Sequence, residues 1–352
     1  MADWQRLLWY YGAGRFFNPR PRFLCYNATR RCDSNCIHCG VNAPANVVEE
    51  MAPEDLRRVF AQPLFGAVHT AWLTGGEPTL RQDLAAAAGV IAEAIPSLRT
   101  LGLATHAIRT QRVVQQLVNL LDVADPGRHG LFIHVSLDGI GETHDRIRGV
   151  PGAFTGVMAT LEAVSQLRRD YPTHQIEVGL NCVIQPENVA DLPALRQLAQ
   201  QRGLSITFNT VTISDQLFNN LEREARLTFS PEARRQVIAF LLATAPMVSP
   251  GLAAHYRQLA GMIEGEPRAR RCLSLWSTII LDSDCTYLPC PTASALLPVS
   301  AQGRDLEEVW HGPELQAVRR RIGIEFCPAC QLGCSLGDSL TWAEWRQGGW
   351  KR

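Results

Sequence analysis

Two groups of cysteines carry the chemistry that this sequence can do. Cys32, Cys36 and Cys39 fall within Arg31–Gly40, spaced C-x3-C-x2-C. Thiolates are soft ligands that suit iron–sulfur clusters or zinc. A [4Fe–4S] cluster ordinarily takes four thiolates, and this short loop offers three. The spacing therefore fits a cluster with one iron left open. It also fits a zinc knuckle that lacks a ligand, or one whose fourth ligand is His38. The second group is Cys272 and Cys290, then Cys327, Cys330 and Cys334. A hairpin flanked by cysteines plus a distant C-x2-C makes a four-thiolate site, which zinc or a [4Fe–4S] cluster would satisfy. Cys285 reads as a turn residue that could also ligate, and Cys25 and Cys182 read as buried thiols on strands.

The elements that must position the first group alternate in type. Short apolar strands are expected over Phe23–Thr29, His69–Thr74, Thr100–Ala104, Leu131–Leu137, Ile176–Ile184 and Ser205–Val211. Amphipathic helices are expected over Pro53–Gln62, Arg81–Ala94, Arg109–Leu121, Ala153–Arg169 and Val189–Gln201. That repetition predicts an α/β protein with a parallel sheet, closed by right-handed crossovers into a partial (β/α)6 TIM-type barrel. Chemistry in such folds gathers at the carboxyl ends of the strands, and the three-cysteine loop follows the first strand. Two other strand ends carry candidate ligand-binding groups. Thr74 is followed by Gly75-Gly76-Glu77-Pro78, where paired glycines let backbone approach a ligand. Ser136 and Asp138 share one strand face, and Arg148 can pair with a carboxylate in two-pronged fashion. Asn181 is a further candidate to point into the barrel.

The chain divides into an N-terminal extension (1–21), the barrel core (22–212), a helical bridge (213–270), a cysteine-rich extension (271–340) and a tail (341–352). Pro231–Thr244 and Leu252–Ile263 are the bridge's clearest helices, and Ser277–Leu281 with Thr286–Leu288 reads as the extension's hairpin. Trp342, Trp345 and Trp350 in the tail read as packing residues. At 352 residues and 46% apolar content, the chain can bury a large core. Its 34 cationic and 34 anionic groups balance, which excludes a nucleic-acid partner recognised through net charge. The run Met1–Gly14 lacks the cleavage site of a signal peptide, and no apolar stretch is long enough for a membrane span. Metal-bound thiolates in a reducing cytoplasm account for the cysteines better than disulfides do.

The motif C-x3-C-x2-C after a first strand, joined by Gly-Gly-Glu-Pro and by Ser136-Leu137-Asp138-Gly139…His144-Asp145-x-x-Arg148, resembles the radical S-adenosylmethionine (SAM) superfamily. The resemblance implies that Cys32, Cys36 and Cys39 hold the catalytic [4Fe–4S] cluster, whose open iron takes the amino and carboxylate groups of SAM. It implies that Gly75, Gly76, Glu77 and Pro78, with Ser136, Asp138 and Arg148, contact SAM. The family usually has an aromatic residue where His38 stands, and many relatives have Thr-Asn-Gly where this chain has Thr105-His106-Ala107. Residues 271–340 resemble the SPASM and twitch extensions, which implies one auxiliary [4Fe–4S] cluster on Cys272, Cys290, Cys327 and Cys330, with Cys334 a rival for the last place. It also implies a one-electron donor such as a flavodoxin or ferredoxin.

The expected reaction is reductive SAM cleavage to a 5′-deoxyadenosyl radical, which abstracts hydrogen during oxidation of a small molecule such as an amino sugar or other polyol. The alternative is modification of a peptide or protein by a thioether, a C–C crosslink, epimerisation or side-chain oxidation. Only about twenty residues precede the first strand, too few for a leader-binding module, and this favours the small molecule. A non-catalytic iron–sulfur electron carrier is the reading from a different class.

Overall fold

The computed structural model describes residues 20–41, 43, 48–269 and 272–334. Met1–Gly14 and the tryptophans at 342, 345 and 350 lie outside the described residues. Six strands follow one another in parallel: β1 (Phe23–Thr29), β2 (Thr70–Gly75), β3 (Thr100–Thr105), β4 (Gly130–Ser136), β5 (Gln175–Ile184) and β6 (Ser205–Thr210). The helices between them are α1 (Pro53–Phe60), α2 (Leu84–Ala94), α3 (Thr110–Val123), α4 (Glu142–Arg148), α5 (Ala153–Asp170) and α6 (Leu192–Gln201). α7 (Pro231–Thr244) and α8 (Pro250–Glu264) follow, and α9 (Leu306–His311) and α10 (Pro313–Glu325) close the described chain. This is the partial (β/α)6 TIM-type barrel expected from the alternating pattern. Among the described residues, no helix is long and apolar enough to cross a membrane.

The two faces of each strand explain the barrel. Leu24, Tyr26 and Ala28 on β1, and Leu131, Ile133 and Val135 on β4, are buried beneath the helices. Each of the Leu, Ile and Val side chains removed from water contributes about 1.5–3 kcal/mol. The alternate residues face the lumen. There the rings of Trp72 and Phe132 meet edge-on at 5.6 Å, and His134 packs 5.6 Å from Trp72. Glycine stands opposite these rings for steric reasons. A Cβ on Gly102 would lie 2.5 Å from the Trp72 ring, and one on Gly179 would lie 3.0 Å from Phe132. The aromatic layer fills the lumen below the strand ends and leaves the mouth for polar groups.

The cysteine-rich extension does not start a separate sheet. Its strand β7 (Thr278–Leu281) pairs in parallel with β1, and β8 (Thr286–Leu288) and β9 (Val299–Ser300) continue antiparallel. The order among the described strands is β6-β5-β4-β3-β2-β1-β7-β8-β9. The hairpin between β7 and β8 turns at Cys285, whose φ is 59°. Its tip docks on the end of β1: Met51 N donates to Ser283 O at 2.8 Å, and the Arg30 guanidinium pairs with Asp282.

Candidate active site

The three-cysteine loop leaves β1 and is locked at once to the glycine turn after β2. Gly76 N donates to Thr29 O at 2.8 Å, and Glu77 N donates to Arg31 O at 2.8 Å. The approach is so close that a Cβ on Gly75 would sit 2.0 Å from Thr29 O, and one on Gly76 would sit 2.2 Å from Arg31 O. Gly75 also has φ 123°, a region that side chains avoid. The same loop is held from two other sides. Asn35 N and Ile37 N donate to Arg148 O and Ile147 O at the end of α4. Asn220 Nδ2 donates to His38 O at 2.8 Å, and Arg223 Nη1 donates to Cys36 O at 2.9 Å and Cys39 O at 3.1 Å. The segment expected only to bridge two domains thus begins by capping the cysteine loop.

Carboxylates around the loop are spent on holding it. Glu77 is fully buried and accepts from Thr79 Oγ1 at 2.7 Å, Thr105 Oγ1 at 2.8 Å and His106 N at 2.8 Å. It ties the end of β2 to the end of β3. Pro78 is buried beside it. Asp138 is also fully buried, 2.6 Å from Arg148 Nη2, and it accepts from Val183 N at 2.8 Å. Burial, the largest single influence, opposes its ionisation, but the Arg148 guanidinium, the nearby His38 and His144 and the Val183 N–H together outweigh it and hold the Asp138 carboxyl below the usual range. Arg148 Nη1 lies 3.7 Å from Cys36 Sγ, which sets a fixed cation beside a thiol of the loop. Ser136 ends β4 in register with Asn181 on β5, and Asn209 Nδ2 donates to Asn181 Oδ1 at 2.9 Å across to β6.

The loop fits a cluster with one open iron. No disulfide joins any of the eleven cysteines, so the thiols are available as ligands. Burial pushes the Cys32 thiol up to about 12 and the Cys39 thiol up to about 11. Without metal these groups are neutral, and metal binding must displace their protons. Among the described residues, no three His, Cys, Asp or Glu side chains converge closely enough to hold a single metal ion. Thiolates of a cluster bind separate irons and need no such convergence. His38, the candidate fourth zinc ligand, has Nδ1 3.2 Å from Gln185 Nε2, and its ring is kept neutral by burial, with its pKa lowered to about 4.

Cys272, Cys290, Cys327, Cys330 and Cys334 all line one cavity. Cys290 and Cys327 pack against a small core of Leu275, Ala293 and Ile322. Cys285 instead belongs to the main barrel core with Tyr287. The loop that carries Cys330 and Cys334 is fixed to the barrel mouth by Thr210 Oγ1, which donates to Gln331 Oε1 at 2.6 Å. Cys182 is buried beneath the helices, and Cys25 stands on the lumen face of β1 between Phe23 and Asn27.

The sequence did not single out several residues that hold this site. Asp33 accepts from His106 at 2.7 Å and Arg112 at 3.1 Å, and that first bond leads in holding its carboxyl well below the usual range. Its place directly after Cys32 was the available signal. Gln185, Asn220 and Arg223 lie far from the motifs in sequence and carried none.

Residues 26–199 match the family described as the Radical SAM superfamily. That segment, 174 of the 352 residues, is a domain of this superfamily. It is 28% identical over 191 residues to the Fe-coproporphyrin III synthase of Methanosarcina barkeri, covering 54% of this chain and 44% of the relative. The first curated relatives it matches are thus spanned over less than half of their length. The PqqA peptide cyclase of Rhizobium meliloti is 24% identical over 322 residues, 89% of this chain and 79% of the relative. The crystal structure of Streptococcus suis SuiB bound to its precursor peptide SuiA superposes with a TM-score of 0.59 at 14% identity, covering 90% of this chain and 72% of that one. At that identity the likeness shows a shared fold that reaches into the cysteine-rich extension.

Proposed function

We propose that this protein is a radical SAM enzyme in which Cys32, Cys36 and Cys39 hold the catalytic [4Fe–4S] cluster and a second thiol group assists an oxidation. The observation that carries the reading is the three-thiol loop, free of disulfides and bonded through backbone to the Gly75–Gly76 turn. With cluster and SAM bound, that pair supplies a 5′-deoxyadenosyl radical by one-electron cleavage of the C5′–S bond. The chain's own contribution is position and exclusion. The glycine turn offers backbone to the SAM amino group, and the Asp138–Arg148 pair fixes one wall. Ser136 and Asn181 present polar groups at the lumen mouth, and the Trp72–Phe132 layer closes the floor.

Oxidation of a C–H bond needs a second electron acceptor once the hydrogen atom and a proton have left. The cavity lined by Cys272, Cys290, Cys327, Cys330 and Cys334 fits an auxiliary cluster in that role. An external one-electron donor, such as a flavodoxin or ferredoxin in a reducing cytoplasm, would prime the first cluster. For the substrate we favour a peptide, because the match to a peptide cyclase runs through most of this chain. Oxidation of an amino sugar or polyol is the second reading, favoured by the short cysteine set of the extension.

The test is anaerobic reconstitution followed by reduction with dithionite in the presence of SAM. Formation of 5′-deoxyadenosine and methionine by the wild type, and its loss in the Cys32→Ala/Cys36→Ala/Cys39→Ala variant, is the expected result. Wild-type protein that holds iron yet leaves SAM intact would overturn the proposal.

A further inference from the structure

The loop that carries the last auxiliary thiols is wrapped around one cation. Arg268 lies four residues before Cys272. Its backbone N–H donates to Pro328 O at 2.9 Å, and its Nη1 donates to Cys330 O at 2.9 Å and Leu332 O at 3.2 Å. Three alternate carbonyls of one short loop therefore converge on one residue, two of them on its guanidinium. Arginine keeps its charge in any protein environment, and a charge acts strongly where water is scarce. A four-thiolate [4Fe–4S] centre becomes more negative by one when it takes an electron. A fixed cation at its edge stabilises that reduced form and raises the potential.

Resting on the auxiliary-cluster reading above, we infer that Arg268 sets the reduction potential of the second centre and holds it high enough to accept the electron left on an oxidised substrate. Arg268 is a positioning and electrostatic residue; it touches the ligand loop and not the reacting C–H bond. Thr210, at the end of β6, anchors the same loop to the barrel through Gln331.

The measurement is an EPR-monitored potentiometric titration in the Cys32→Ala/Cys36→Ala/Cys39→Ala background, where any remaining cluster is the auxiliary one. Arg268→Gln is expected to lower the midpoint potential by at least ~59 mV, tenfold in the one-electron equilibrium. Arg268→Lys, which keeps the charge and loses the fork, is expected to shift it by much less. A Gln variant with an unchanged or higher midpoint overturns the inference, as does a Lys variant that shifts as far as Gln. If Gln fails to retain iron, Lys decides alone: a midpoint near the parent's supports the inference, and lost iron or a large fall overturns it. A parent variant without iron overturns the auxiliary-cluster reading itself, an outcome separate from retained iron with an unmoved potential.

Discussion

Replacing Asp138 by Asn tests whether the buried ion pair beside Cys36 holds the active-site wall. Asp138 is 0% exposed and Arg148 is 7% exposed, and their charged atoms lie 2.6 Å apart. Asparagine keeps the volume and can still accept from Val183 N, so only the charge is removed. Arg148 is then a buried cation with no carboxylate, and breaking such a pair costs about 3–5 kcal/mol. That is a large share of the ~5–15 kcal/mol by which a domain is stable. The assay is guanidinium unfolding of the metal-free protein, with iron content measured after reconstitution. Arg148 also reaches Cys36 Sγ and, through its backbone, Asn35 N, so cluster retention is expected to fall with stability. The double variant Asp138→Leu/Arg148→Met should recover much of the loss, because it removes both charges. The pH arm has a fixed sign. The Asp138 carboxyl is depressed in the folded state. Its stabilisation is therefore present above the unfolded carboxyl pKa of about 3.9 and is lost as pH falls below that. An Asn variant within about 1 kcal/mol of wild type at neutral pH, compared with the 3–5 expected, would refute the reasoning.

Gly76→Ala places a Cβ 2.2 Å from Arg31 O and should cost about 1–3 kcal/mol by overpacking, with loss of cluster binding. Gly323→Ala on α10 meets nothing within 4 Å and should raise stability by about 0.5–1 kcal/mol, which paired denaturant melts would show. Cys285→Ser should keep the iron of the auxiliary centre while Cys290→Ser loses it, since only Cys290 lines the five-thiol cavity; iron analysis in the triple-Ala background checks both. Iron uptake by the metal-free protein should strengthen as pH rises, because the Cys32 and Cys39 thiols, pushed up to about 12 and 11, must release protons to bind metal. Uptake that is flat from pH 6.5 to 9 would count against buried protonated thiols as the starting state.

The site is a loop whose geometry is set by backbone more than by side chains. Thr29, Arg31, Cys36, His38 and Cys39 all offer carbonyls that are bonded by other segments. Such a loop keeps its three sulfurs placed without metal and allows few conformations to be lost on cluster binding. Arg81 supports it from outside the barrel. This fully buried side chain donates to Tyr26 Oη, Ala28 O and Met51 O.

Local pattern was enough for the order and identity of the six core strands. Strands alternate every two residues and helices every three to four, so Leu24/Tyr26/Ala28 or Leu131/Ile133/Val135 declare a buried face without any partner. The cysteine spacings and the Gly75–Gly76 pair were legible for a similar reason, since residues of one short loop are neighbours in the chain. Helix α4 was not expected, because seven residues with mostly polar side chains carry no clear period. Tertiary structure alone decided the rest. It paired β7 with β1 and so joined the extension to the barrel sheet. It enclosed Glu77 and Asp138 among protein donors, and it brought Asn220, Arg223 and Arg268 onto loops far from them in sequence. Those are long-range contacts of single polar side chains. A hydrogen bond across 182 residues, such as Asn220 to His38 O, leaves no periodic trace in the chain, because its partner is chosen by how the sheet closes.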